Sequence, residues 1–135
     1  MRRETLDTNV LLRLMDKGEL PDQHKAARML IEKASVRYFV SDVVLFEFVH
    51  VLDKHYQHSR KEIQFIVEAL AGVESIDCNA ELTKTTLELY CAHSTLSYAD
   101  CYLAASADYM NALPLWTFDK DLAKRVDMAQ LLDVA

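Results

Sequence analysis

Four acidic residues occupy positions at which carboxylates can do chemistry. Asp7 and Asp119 each come at the end of a strand-like stretch and just before a helical pattern. Glu47 is the only acid in an otherwise largely apolar helical stretch, and Asp100 falls three residues after Ser97, in a predicted first helical turn. In an open parallel sheet, ligands bind beyond the carboxyl ends of the strands. The sequence therefore predicts that these carboxylates gather at one edge of a sheet.

Such a cluster predicts a metal ion. Carboxylates about 5 Å apart repel each other by roughly 3 kcal/mol per pair at an effective dielectric constant of about 20. A hard divalent cation among the oxygens relieves this repulsion. The chemistry that such a site serves is in-line hydrolysis of a phosphodiester, in which metal ions activate water and neutralise charge on the leaving oxygen.

Each acid also has a simpler interpretation. Asp is a favourable helix N-cap, and a carboxylate in the first turn, such as Asp100, gains ~0.3–1 kcal/mol from the helix dipole. Glu47 shares a polar stripe with His50 and Lys54 at helical spacing, which is typical of a solvated helix face. Two further acids, Asp42 and Asp121, are predicted to cap helices outside the cluster.

The elements that must position these residues alternate as βααβααβααβαβ. The predicted strands are 3–7, 38–40, 73–78 and 113–118, with a candidate fifth strand at 131–132. The predicted helices cover 10–15, 22–34, 43–52, 59–72 and 79–91, followed by one that starts at 97 and a short one after 119. This alternation predicts a single α/β domain over residues 1–135, with a parallel sheet of four to five short strands between helices.

Composition narrows the function classes. Of the 135 residues, 51% are apolar, which is typical of a folded domain, and only two are Gly and two are Pro. No Gly-rich phosphate loop is present, so P-loop and dinucleotide-binding sites are excluded. The three cysteines form no CxxC pair and are predicted to be reduced. With no apolar run of roughly 20 residues and no signal-peptide core, a cytoplasmic protein without a membrane span is expected.

Four sequence blocks carry a family resemblance. They are Leu6-Asp7-Thr8-Asn9-Val10-Leu11, Val44-Leu45-Phe46-Glu47-Phe48, Ser97-Tyr98-Ala99-Asp100-Cys101-Tyr102-Leu103-Ala104-Ala105 and Trp116-Thr117-Phe118-Asp119-Lys120-Asp121-Leu122. In this order and spacing, the blocks resemble the PIN-domain ribonucleases, and in particular the VapC-like toxins of bacterial toxin–antitoxin pairs.

The resemblance implies a PIN-like three-layer fold and a metal-dependent endoribonuclease that acts as a toxin. It implies Mg²⁺ or Mn²⁺ as cofactor, RNA as substrate, and a cognate antitoxin and a second copy of the chain as partners. Asp7, Asp100 and Asp119 would bind the metal, and Glu47 would complete the metal site or position the attacking water. Polar support would come from Asn9 and Thr117.

Two departures from the family pattern stand out. The lead-in Arg2-Arg3-Glu4 is more polar than the apolar first strand typical of the family, which questions the completeness of that strand. Cys101 and Tyr102 are larger or more reactive than the small residues expected after Asp100. We expect these two residues to reshape the floor of the pocket.

Alternatives remain open from sequence alone. A PIN nuclease in ordinary RNA processing and a catalytically silent PIN-like binding module share the fold, although the presence of all four acids argues against the silent module. A zinc site at His50, His55 and His58 is disfavoured by their spacing. Asp7-Thr8-Asn9 faintly resembles the aspartyl-phosphate phosphatases, but those enzymes have a second acid at the position that Asn9 occupies here.

The sequence identifies possible binding surfaces for protein partners and RNA less specifically than it identifies the acid cluster. The apolar helix faces Val43–Leu52 and Ile63–Leu70 are candidates for self-association or for antitoxin binding. Bases that could contact RNA phosphates cannot be ranked by sequence, so no RNA-binding residue is assigned; the candidates are Arg13, Lys17, Lys54, Arg60, Lys61, Lys120, Lys124 and Arg125.

Overall fold

The computed structural model describes residues 2–16 and 18–134 and has the predicted order of elements. The strands are β1 (Arg2–Thr5), β2 (Val36–Phe39), β3 (Ile76–Asp77), β4 (Leu115–Thr117) and β5 (Ala129–Leu131). The helices are α1 (Thr8–Met15), α2 (Pro21–Ile31), α3 (Asp42–Lys54), α4 (Arg60–Ala71), α5 (Ala80–Ala92), α6 (Tyr98–Tyr109) and α7 (Lys120–Arg125). The alternation βααβααβααβαβ read from the sequence is confirmed.

Serine side chains start three of the helices, as the sequence predicted. The hydroxyl oxygens of Ser41, Ser59 and Ser97 each accept a hydrogen bond from the backbone N–H three residues later, which satisfies one of the unpaired donors of a helix N-terminus. Helix α1 begins two residues earlier than predicted, at Thr8, because Asp7 is already its N-cap.

The strands pair in parallel throughout, which confirms the α/β fold class. β1, β2 and β3 form a three-stranded sheet in that order, and β4 pairs with β5 in a second sheet. The one sheet expected from sequence is therefore observed as two groups of strands. Contacts divide the chain into two compact units, residues 1–79 and 80–135. A single domain across residues 1–135 stays a prediction.

Strand boundaries differ most from the expectation. The second strand starts at Val36 rather than at residue 38, because buried Val36 and Tyr38 alternate with half-buried Arg37, as side chains on a strand do. The fifth strand starts at Ala129 rather than at residue 131, since buried Ala129 pairs with Leu115 of β4.

The polar strand β1 is an outer strand of the three-stranded sheet and is largely exposed. Arg3 forms an ion pair of 2.9 Å with Asp77, and its guanidinium lies 5.3 Å from the centre of the Phe39 ring. Arg2 pairs with Glu4 of the same strand at 2.6 Å. An outer strand tolerates charged side chains that a central strand would have to bury, so the polar lead-in suits this position.

Residues 1–79 contain a core under the three-stranded sheet. Its largest fully buried side chains are Tyr38, Phe48, Leu11, Leu52 and Ile63. The Tyr38 hydroxyl donates a hydrogen bond of 2.8 Å to the carbonyl oxygen of Leu30, which satisfies the polar end of the ring. Helices α1 and α3 pack in this unit, and this packing sets the position of the first two candidate acids.

Residues 80–135 have their own core, built on helices α5 and α6. Leu87, Leu96 and Cys101 are fully buried there, and the ring of Tyr90 packs edge-on against that of Tyr98 at 5.6 Å. Within the described residues, none of the helices has the length and apolar character that crossing a lipid bilayer requires.

Candidate active site

Thr8 connects two of the candidate acids. Its backbone N–H donates a hydrogen bond of 2.7 Å to Oδ1 of Asp7, and its hydroxyl donates one of 2.7 Å to Oε2 of Glu47. Thr8 is only 5% exposed, so its hydroxyl is held in one place, whereas both acids are exposed. The structure therefore brings Asp7 and Glu47 together around one buried side chain, although they are 40 residues apart in the chain.

Glu47 reaches Thr8 because helix α3 is fixed along its apolar face. Leu45, Phe48, Val49 and Leu52 are buried on that face. Glu47 is exposed, as predicted if it belongs to a solvated polar stripe of the helix. Its hydrogen bond with Thr8 distinguishes it from an ordinary solvated residue.

Asp100 is held by a capping box at the start of α6. Its backbone N–H donates to Oγ of Ser97 at 3.1 Å, and its Oδ2 accepts from the backbone N–H of Ser97 at 3.4 Å. The capping interpretation is thus confirmed for one oxygen of this half-buried carboxylate. Capping does not exclude binding, because a carboxylate has a second oxygen.

Asp119 is anchored in the same way at the start of α7. Its Oδ1 accepts hydrogen bonds from the backbone N–H groups of Asp121 at 3.0 Å and Leu122 at 3.1 Å. Oγ1 of Thr117 accepts from the backbone N–H of Asp119 at 2.9 Å. The carboxylate is therefore oriented by the start of α7, and Thr117 holds the backbone of the residue it was expected to support.

The four acids share one pattern of contacts. Within the described residues, each has one oxygen in a hydrogen bond and a second oxygen without a hydrogen-bond partner, and none forms an ion pair; the oxygens without partners are Oδ2 of Asp7, Oε1 of Glu47, Oδ1 of Asp100 and Oδ2 of Asp119. Their side chains are oriented, and one oxygen on each is available to a ligand.

Two other hydrogen-bonded acids, Asp121 and Glu62, differ in this respect. Asp121 accepts from the Thr95 hydroxyl on one oxygen and from the Arg125 guanidinium on the other, both at 2.6 Å. The hydrogen bond from Thr95 and then that from Arg125 lower the pKa of the Asp121 carboxyl. Both oxygens of Glu62 are engaged too, by the backbone N–H of Ser59 and by the ring of His58. These acids are occupied by structural partners.

The donor set suits a hard cation. Across residues 2–16 and 18–134, no three His, Cys, Asp or Glu side chains are placed so that they could hold a metal ion, and a metal site shared by the four acids stays a prediction. Mg²⁺ commonly binds through one or two carboxylates together with waters and substrate phosphates, so carboxylate oxygens of the observed kind fit it. A zinc site at the histidines gains no support, since His58 pairs with Glu62 and the other two, His50 and His55, are exposed.

Asn9 lies in the first turn of α1 and is exposed. It lines a cavity of about 340 Å³ between α1 and α2, together with Arg13, Gln23 and a mainly apolar wall that consists of Val10, Ala26, Ala27 and Leu30. Its supporting role toward the acids stays a prediction, as it forms no hydrogen bond with the candidate acids in the described structure.

Thr8 is the residue that sequence reasoning missed. It stands between Asp7 and Asn9, and its signal in the sequence was only that a hydroxyl residue follows the first acid. Cys101 and Tyr102, the two residues that depart from the family pattern after Asp100, are fully buried and half-buried, respectively. The three cysteines are unbridged, as predicted for reduced thiols.

Comparison with models of known protein families identifies a matching family. A family model described as the PIN domain matches residues 5–127, which include all four candidate acids together with Thr8, Asn9 and Thr117. No curated protein matches the chain.

Proposed function

This chain belongs to the PIN-domain family, whose members are generally nucleases, and from that premise we propose that it is a metal-dependent endoribonuclease. We propose further that it acts as the toxin of a type II toxin–antitoxin pair. The observation that carries the nuclease proposal is the shared state of Asp7, Glu47, Asp100 and Asp119. Each has one oriented carboxylate oxygen, one oxygen without a partner among the described residues, and no paired cation.

In this proposal the acids have separate roles. Asp7, Asp100 and Asp119 supply the metal-binding oxygens, and Glu47 completes the metal site or orients the attacking water. A bound Mg²⁺ or Mn²⁺ activates water and neutralises charge on the phosphate. Thr8 keeps Oε2 of Glu47 in place, and Oε1 has no hydrogen-bond partner among the described residues. The hydrogen bonds at Asp100 and Asp119 likewise fix their carboxylates before substrate arrives, which lowers the cost of ordering them.

RNA cleavage by the purified protein tests the nuclease proposal. We expect wild-type protein to cut a single-stranded RNA with Mg²⁺ or Mn²⁺ and to stop when a chelator is added. Asp100→Asn should lose most of this activity. Asp108→Asn, which removes an exposed acid from the same helix, is the matched control and should keep it. Equal activity of the two variants would refute the assignment of Asp100.

Growth arrest tests the toxin proposal. We expect wild-type expression in a bacterial host to stop growth, and expression of Asp7→Ala or Asp119→Ala to permit it. Equal arrest by wild type and both variants would show that the effect does not need these acids. Rescue by co-expression of a small protein encoded beside this chain would identify the antitoxin. RNA cleavage in vitro without growth arrest would instead favour an RNA-processing nuclease.

We also propose a homodimer and a cytoplasmic location, as the family resemblance implies. Sedimentation over a range of concentrations should give twice the 15.5 kDa mass of the chain. A monomer at every accessible concentration would contradict the homodimer, and it would leave the nuclease proposal intact.

A further inference from the structure

Two exposed aromatic rings, Trp116 of β4 and Phe118 just after this strand, come directly before Asp119. Trp116 is 54% exposed and Phe118 is 66% exposed, whereas Leu115 and Thr117 are half-buried. The two exposed rings lie within three residues of the chain, on either side of half-buried Thr117, and together they expose an aromatic surface. Large apolar side chains are usually buried, so exposed aromatic rings close together in the chain indicate a binding surface.

The backbone beneath this surface is held by sheet pairing. Trp116 is in register with Gln130 of β5, and the N–H of Leu132 donates to the carbonyl oxygen of Thr117 at 2.8 Å. Thr117 is further tied to Asp119 through its hydroxyl. The rings therefore lie on a backbone of fixed geometry, and the chain leads from Phe118 to a candidate metal acid within one residue, about 3.8 Å between Cα atoms.

Two exposed lysines lie on α7, the helix that follows the aromatic rings in the chain. Lys120 and Lys124 are four residues apart on one face of the helix, both are exposed, and neither forms an ion pair within the described residues. The negative charge of Asp121 is already matched by Arg125. Helix α7, which begins two residues after Phe118, therefore carries a net positive charge in a chain whose net charge is −6.

We propose that Trp116 and Phe118 form a stacking platform for the bases of single-stranded RNA, with Lys120 and Lys124 as contacts to its phosphates. The stacking platform rests on the proposed nuclease function and would lead the RNA to Asp119. Exposed aromatic rings combined with cations are the means by which proteins bind single strands without strict sequence preference. Double-stranded RNA does not fit this surface, because its bases are stacked on each other and are closed to side chains.

A protein partner fits the same surface less well. The centres of protein interfaces are enriched in aromatic residues but depleted of lysine. Two exposed lysines without paired acids next to the rings match a polyanion better than they match a second copy of an acidic chain. A protein interface is therefore kept as one outcome of the test.

Trp116 makes the test direct, because it is the only tryptophan of the chain. A 12-nucleotide unstructured RNA is titrated into Asp7→Ala protein, in which cleavage is expected to be blocked, and the tryptophan fluorescence is followed. We expect quenching by the single strand and little quenching by a duplex of the same sequence. This measurement needs no change to either ring, so it does not depend on how a ring variant folds.

Variants in the Asp7→Ala background, measured with a labelled form of the same RNA, assign the binding energy. Trp116→Ala or Phe118→Ala should each weaken binding roughly 5- to 150-fold, the range measured for stacked bases, while Trp116→Phe should retain most of it. Lys120→Ala and Lys124→Ala should each lower the slope of log K against log salt by about 0.7. Phe65→Ala on α4, where the ring is 74% exposed, and Lys84→Ala on α5 are matched controls that should change neither quantity.

Each other outcome has a defined meaning. Absence of quenching, or unchanged affinity in a Trp116→Ala/Phe118→Ala double variant, overturns the stacking platform. The same holds if that variant binds RNA normally but sediments as a smaller species, since the rings would then belong to a protein interface. If wild-type protein cuts no RNA although the Asp7→Ala protein binds it through both rings, the nuclease proposal fails and the stacking platform stands.

Discussion

Replacing Thr8 by Val tests whether the buried hydroxyl positions Glu47. Valine has nearly the shape of threonine, but it cannot donate the 2.7 Å hydrogen bond to Oε2. A hydrogen bond to a charged group contributes about 1.5–3 kcal/mol to stability. Because Glu47 is exposed, water can replace the lost donor, and we expect a cost near the lower limit, about 1.5 kcal/mol.

This cost converts into a measurable shift. At about 2.1 cal/mol/K per residue, a chain of 135 residues has an unfolding entropy of roughly 0.28 kcal/mol/K. A loss of about 1.5 kcal/mol therefore lowers the melting temperature by about 5 °C. The effect on cleavage should be larger, roughly 10- to 100-fold, which is typical when a residue that orients a metal-site side chain is removed.

Thr8→Ser is the matched control. It keeps the hydroxyl and removes one buried methyl group, which costs about 0.8 kcal/mol. Both variants should thus melt at a lower temperature, but only Thr8→Val should lose activity. Thermal melting and single-turnover cleavage of one RNA separate the two. The reasoning is refuted if Thr8→Val cuts RNA at the wild-type rate, whatever its melting temperature.

Three further predictions follow from local contacts. Ser97→Ala and Ser59→Ala should each lower the free energy of unfolding in urea by about 1 kcal/mol, because both remove an N-cap. Only Ser97→Ala should slow RNA cleavage, since Ser97 holds a candidate metal acid. The free energy of unfolding of the wild-type protein should rise by about 2.7 kcal/mol at a hundredfold excess of Mg²⁺ over its Kd. Without metal, Asp119→Asn should keep the wild-type melting temperature, since Asn caps a helix as well as Asp does. If Mg²⁺ raises the melting temperature of this variant as much as that of the wild type, Asp119 does not belong to the metal site. Burial, as the main cause, and a hydrogen bond to the Asp16 carboxylate, as the second cause, raise the pKa of Tyr56 from 10.0 to about 12. The folded state therefore holds the phenol proton more tightly than the unfolded state does. The resulting contribution to the free energy of unfolding is complete below pH 10 and is lost between pH 10 and 12. Tyr56→Phe should flatten the loss of unfolding free energy over that interval, and an unchanged profile would contradict this assignment.

Local signals in the sequence located the helices well. Ser59 and Glu62 formed the predicted capping box, and Ser97 with Asp100 formed a second one where the sequence predicted a helix start with Asp100 in its first turn. Both patterns depend on hydrogen bonds that span three residues, so the sequence contains all the participants. The same holds for the order of the strands and helices, which follows from the period of the apolar residues.

Pairing between strands that are far apart in the chain was harder to predict from the sequence. β3 pairs over only two residues, and β4 and β5 pair over three, so their limits depend on partners far away in the chain. Periodicity cannot show such partners, which is why the sequence predicted one sheet where two groups of strands are observed. The contact between Thr8 and Glu47 was missed for the same reason, since it joins residues 39 apart.

The two interpretations that the sequence left open at the acids turn out to be compatible. Asp100 and Asp119 cap helices, yet each capping bond uses a single oxygen. Backbone N–H groups at a helix N-terminus favour the ionised carboxylate and fix its direction, and both properties suit a metal ligand. Asp121 differs from these two acids, because both of its oxygens are engaged by other side chains, whereas in Asp100 and Asp119 the second oxygen has no hydrogen-bond partner among the described residues. Asp121 was predicted to cap a helix, but it lies in the first turn of α7, whose N-cap is Asp119. All three are Asp residues at or near a helix start, so residue type alone does not make this distinction.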